Sequence, residues 1–119
     1  MSNPDITYNV QHHFAGKDPV VQKIYNRVLK AVRQFGPVAE DPKKTSIHLV
    51  NKTALAGVAT RKSHLILTIK SDCRLNSSRI QTAEQVSAHR FHHQIKLSAP
   101  EEIDAELIGW LRAAHGLSG

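Results

Sequence analysis

The chain has 119 residues, 40% of them hydrophobic and 22% charged, with a formal net charge of +6. This length fits a single domain, residues 1–119, built from two packed layers, and the composition excludes a disordered or fibrous chain. No apolar run approaches the ~20 residues needed to span a bilayer. The opening MSNPDITYNV lacks the basic start and apolar stretch of a signal peptide, and the single cysteine, Cys73, excludes an internal disulfide, so a cytoplasmic protein without a membrane segment is expected.

Residues 1–17 show no periodicity and are expected to form an extended arm. The first helix is better marked. Asp18 suits an N-cap and Pro19 the first helical position, where no amide hydrogen is required. Val21, Ile24, Val28, Val32 and Phe35 recur at steps of three and four, which builds one apolar stripe, and Gly36-Pro37 stops the helix.

The period then changes. Ile47 and Leu49 alternate with Ser46 and His48. Ala54 to Thr60 is small and apolar, with Gly57 inside it. Leu65, Leu67 and Ile69 alternate with Ile66, Thr68 and Lys70. These are three short strands, and the turn residues between them favour antiparallel hairpins. Residues 71–87 are polar and irregular, and 88–97 form a fourth strand with Phe91, Ile95 and Leu97 on one face. Ser98 and Glu101 have capping-box spacing ahead of a last helix. Its stripe is Ile103, Leu107, Trp110, Leu111 and Ala114, and Gly116 ends it.

The expected fold is therefore α+β: a two-layer sandwich in which an antiparallel sheet of about four strands carries an N-terminal and a C-terminal helix on one face. Strand parity then assigns the other face. If Leu65, Leu67, Ile69, Ile95 and Leu97 point inward, then His48, His64, Lys70, Arg90, His92 and Lys96 point outward, and His93 points inward.

Charge is distributed unevenly. Residues 43–96 hold ten basic side chains against two acidic ones, Asp72 and Glu84, and five of the eight histidines. Such a segment attracts anions. The aromatic residues Tyr25, Phe35, Phe91 and Trp110 are expected in the core, so no array of stacking rings is left for single strands. The histidines include two pairs, His12-His13 and His92-His93; a zinc site needs three or four converging ligands, and His92 and His93 cannot easily share one because neighbours on a strand face opposite ways. No Walker-type loop, GxSxG or GxGxxG is present, and no catalytic residue, metal or cofactor is expected.

The stretches HFAGKDP near the start, GPV at 36–38, KKTSIHL at 43–49, RK at 61–62, SSRI at 77–80, RFHH at 90–93 and SAPEEIDAELIGWLRAAHGL at 98–117 carry a resemblance. In their order and spacing the chain resembles a family of small prokaryotic domains known as domain of unknown function 5655, from about His13 to Leu117. Relatives stand alone or are joined to other domains, putative nucleases among them, and some bear the loose label of predicted transport protein. The resemblance supports the fold and implies no reaction. It singles out Lys44, Arg61, Lys62, Arg79, His92 and His93 as positions that packing does not explain. At 114–115 this chain has Ala-His, where relatives often have Ala-Tyr.

Charge, parity and resemblance together give an anion-binding set of Lys44, Arg61, Lys62, Arg79, Arg90, His92, His93 and Lys96. The expected function is a non-catalytic binding module with a basic sheet face for an anionic partner, nucleic acid or an acidic protein surface. One alternative is an interaction or homodimerisation domain that uses a sheet edge or Val50 and Ile66. Another is a small-molecule binder or enzyme with a pocket lined by Lys44, Arg61 and His93.

Overall fold

The computed structural model describes residues 8–118. Asp18 is extended, Pro19 takes the first helical position, and α1 runs Pro19–Arg33. Its buried stripe is Val21, Ile24, Tyr25, Val28, Ala31 and Val32. Asp18 makes no side-chain cap bond. Its carboxylate lies 3.3 Å from Lys62 Nζ, and its N–H donates to the Lys62 carbonyl at 2.8 Å. Beyond the helix, Gly36 has φ +147°, a region that side chains disfavour, and a Cβ there would stand 2.7 Å from His115 Cε1. Glycine therefore lets the ends of the two helices approach.

Six strands follow: β1 (Ala39–Pro42), β2 (Ile47–Val50), β3 (Ala54–Thr60), β4 (Leu65–Ser71), β5 (Ile80–Ser87) and β6 (Arg90–Leu97). They form one antiparallel sheet in the order β1-β2-β3-β4-β6-β5. The last helix, α2, spans Ala105–Leu117. Both helices pack on one side, over Ile47, Leu49, Val58, Leu65, Leu67, Ile69, Ile95 and Leu97, all of them at most 1% exposed. Truncating one such Leu or Ile to Ala costs about 2–5 kcal/mol, which is the scale on which this inner face is specified. Among the described residues, no helix is long and apolar enough to cross a membrane.

The sheet thus has six strands where about four were expected, and both additions are edge strands. β1, Ala-Glu-Asp-Pro, has no strand-like pattern because its inward residue is an acid. Glu40 pairs in register with Leu49 and accepts a hydrogen bond from the buried Tyr25 hydroxyl at 2.6 Å. Burial, then the bond and charge of Glu40, push the Tyr25 phenol far above its ordinary range. Arg33 reinforces the joint by donating to the Val38 carbonyl at 3.1 and 3.2 Å. β5 lies in the segment expected to be irregular. It pairs with β6 alone and stays largely exposed, so nothing imposes an apolar alternation on it.

Two further expectations change. The stretch expected to be an extended arm includes a 3-10 turn at Val10–Phe14, with His13 and Phe14 buried; residues 1–7 lie outside the described residues. His13 Nε2 donates to the Lys43 carbonyl at 2.8 Å, and Thr60 Oγ1 donates to the His13 carbonyl at 2.6 Å. The last helix is also interrupted. Pro100–Glu102 make a 3-10 turn, Ile103 leaves helical geometry, and α2 starts after Asp104, whose Oδ1 accepts from the Leu107 N–H at 3.1 Å. Arg79 explains the break. Its Nη2 donates to the Glu102 carbonyl at 2.5 Å, removing that carbonyl from a helical ladder, while Nη1 binds Asp104 at 2.8 Å and Glu106 at 3.3 Å. Gly116 lies within α2 instead of ending it.

His93 points inward and is fully buried, as its parity requires. The Leu75 N–H donates to its Nε2 at 3.0 Å, and Nδ1 is buried with no hydrogen-bond partner among the described residues. A protonated ring would set two donors against each other at Leu75. Burial, then the charge of Arg74, holds the imidazole below its ordinary 6.5, with the Ile69 carbonyl pulling the other way.

Two predictions follow from these joints. The unfolded chain takes up a proton at position 93 near pH 6.5 that the folded chain refuses, so stability is full above that value and falls as pH drops below it. The His93→Gln variant, which keeps an acceptor for Leu75, is expected to flatten the loss of thermal stability between about pH 7 and about pH 5. A loss as steep as in the wild type would assign it to another group. Arg79→Ala is expected to lower stability by about 1–2 kcal/mol, because its charge-assisted bonds lie in partly screened surroundings. The denaturant midpoint measures this, with the slope unchanged.

Candidate functional site

The face of the sheet away from the helices is set by the ladder register. His48 opposes Gly57, Gly57 opposes Thr68, and Thr68 opposes Gln94, which forms one row across four strands. Lys70 opposes His92, and His92 opposes Glu84 in the next row. Ile66 opposes Lys96 in the row on the other side. Arg90 lies two residues before His92 on β6, about 7 Å along the same face. His64 precedes β4 and points the same way as Ile66.

The basic side chains on this face fall into two groups. Lys96 and His64, with Arg61 at the adjoining turn, occupy one end. Lys70, Arg90 and His92 occupy the other, about 13 Å away along β6 at His92 and about 20 Å at Arg90. Both groups carry an excess of positive charge. Burial, then the charges of Lys96 and Arg61, lowers the His64 pKa. Burial, then the charge of Arg90, lowers that of Lys70. Arg90 Nη1 is buried and has no hydrogen-bond partner among the described residues. The acids here are few: Glu84 stands beside His92, and Asp41 is bound to Lys43 at 2.9 Å.

Between the groups lies a groove of about 240 Å³. Its floor is β3, where Gly57 and Ala59 present almost no side chain, and its walls are His48 on one side and Thr68, Lys70 and His92 on the other. Lys70 Nζ donates to Thr53 Oγ1 at 3.3 Å, which steadies the ammonium at the rim.

The eight residues of the expected anion-binding set do not form one cluster. Arg90, His92 and Lys96 share the outer face. His93 is fully buried on the inner side, beneath Leu75 of the β4–β5 connection, and cannot meet an external anion. Arg79 is held by Asp104 and Glu106, and Lys62 by Asp18 and the Gly16 carbonyl, so both join parts of the fold. Lys44 and Arg61 are exposed on the loops at the Lys96 end of the sheet. The pocket expected from Lys44, Arg61 and His93 therefore does not form, and none of the three lines the groove. Val50 and Ile66, the expected apolar contacts, are half-buried, whereas Tyr8 and Val86 are the exposed large apolar side chains among the described residues. His48 and Lys70, which parity assigned outward but the set omitted, belong at the centre. Gly57 and Thr68 were missed; the signal for them was the run of small residues in Ala54–Thr60, which leaves a trough wherever larger strands flank it.

No curated protein and no solved structure matches the chain. The model of the family described as domain of unknown function (DUF5655) matches residues 10–118, and the chain belongs to that family.

Proposed function

We propose that this domain is a non-catalytic binding module that holds the phosphate backbone of a nucleic acid against the outer face of its sheet. The observation that carries the reading is a sheet face left uncovered by helices, on which Lys70, Arg90, Lys96 and three histidines meet few opposing acids. Phosphate oxygens are the acceptors such donors lack, and release of counterions from the backbone supplies the driving force. The lowered pKa values of His64 and Lys70 support the same reading, since neighbouring cations contribute to both. A cytoplasmic location goes with this function.

The test is fluorescence anisotropy of labelled duplex DNA, single-stranded DNA and RNA against the purified protein at low and moderate salt. Affinity is expected to fall steeply with salt. In the Arg90→Ala/Lys96→Ala double variant, the slope of log affinity against log salt is expected to shrink by about 1.4–1.8, the contribution of two phosphate contacts. Binding insensitive to salt, or absent even at low salt, overturns the proposal and leaves the charge a contributor to solubility.

A further inference from the structure

Folding does not account for Gly57. It lies in the middle of β3, pairs on both sides, and its φ lies outside the positive region that favours glycine. A Cβ built on it meets only the His48 ring, at Cδ2, at 3.8 Å, an ordinary contact. There is room for a Cβ, and β-branched residues favour a strand, whereas glycine inside a strand weakens it. What the missing side chain provides is the hollow itself.

The surroundings of the hollow define what fits it. The floor is a stretch of flat strand backbone with small apolar groups, edged by the His48 imidazole and the Thr68 hydroxyl. The rim at one end carries Lys70 and His92, with Arg90 next along β6 and its Nη1 without an acceptor among the described residues. A planar ring at one end and an anion at the other is the chemistry of a nucleotide. The volume, about 240 Å³, lies under the range of drug-sized pockets, which suits one base with its sugar and phosphate at the open rim better than a stacked pair.

We propose that the groove over Gly57 seats a single unpaired nucleotide, its base flat on β3 beside His48 and its phosphate on Lys70, Arg90 and His92. This rests on the nucleic-acid reading above and narrows it: the partner presents an unstacked base, either within a single strand or as a free mononucleotide. Backbone and imidazole provide the stacking surface that the small number of exposed aromatics otherwise denies this fold.

The experiment compares wild type with Gly57→Val in binding a single-stranded oligonucleotide and a duplex of equal length, alongside thermal denaturation of both proteins. Gly57→Val is expected to hold or raise the melting temperature. The ratio of single-strand to duplex affinity is expected to fall by about ten-fold, the scale of one lost stacking contact. If Gly57→Val fails to fold, Gly57→Ala repeats the test with one methyl group. Titration with adenosine monophosphate, followed by amide NMR shifts, separates the sources: shifts at Gly57 and Thr68 assign a free nucleotide, and their absence alongside a lost single-strand preference assigns a base within a strand. Salt-dependent binding in which Gly57→Val keeps the full single-strand preference overturns the groove assignment alone. No polyanion binding by wild type at low salt overturns it together with the reading it rests on.

Discussion

A strand places successive side chains on opposite faces, and here both helices lie against only one of them. The central strands β2, β3, β4 and β6 therefore carry two sets of residues under different rules. Ile47, Leu49, Val58, Leu67, Ile69, Ile95 and Leu97 must be apolar and closely packed, since the inner face supplies most of the hydrophobic stabilisation. His48, Thr68, Lys70, His92 and Lys96, on the same strands, stay wetted and escape that demand. The one connection that skips a strand, from β4 past β6 to β5, runs on the inner side, where Leu75 meets His93 and Arg79 meets Asp104, so the outer face stays clear. The positions open to a partner follow directly from the positions closed by the core.

This division made most of the fold legible in sequence. Period two appears where a strand has one covered face, and the stripe of α1 appears because a single side of that helix meets the sheet. Parity alone placed His93 inward and Arg90, His92 and Lys96 outward. The elements that escaped are those shaped by distant polar partners. Glu40 reads as a loop acid until Tyr25, on another element, supplies the donor that lets it face inward. β5 is covered by neither helix and so has no alternation to display. The late start of α2 depends on Arg79, more than twenty residues earlier, and the local capping signal at Ser98 and Glu101 could not reveal it.

The candidate site was less legible, for a related reason. Lys62, Arg79, Arg90 and Lys96 are indistinguishable as letters, yet two of them join the fold and two face solvent. Asp18 lies 44 positions before Lys62, and Asp104 lies 25 beyond Arg79, so only folding brings the acids to them. The groove is hidden further, since it requires β2 and β4 to flank β3 and a side chain to be missing between them. Gly57 marked the place, but in sequence a glycine within a strand signals a bulge as readily as a binding surface.

Electrostatics separates the two kinds of basic residue. At Arg79, burial opposes the charge, yet the bonds and charges of Asp104 and Glu106 outweigh it and the guanidinium pKa rises: its positive charge is already balanced within the fold. At Lys70 and His64 the shift runs the other way. Burial lowers both, and the nearest strong charges, Arg90 for Lys70 and Lys96 with Arg61 for His64, lower them further. A basic group whose close neighbours are cations sits in a positive potential that the protein itself leaves uncompensated, and an arriving anion relieves that repulsion. An anion near Arg79 would displace carboxylates that already satisfy it. The uncompensated charge lies on the face that folding leaves uncovered, on either side of the hollow at Gly57.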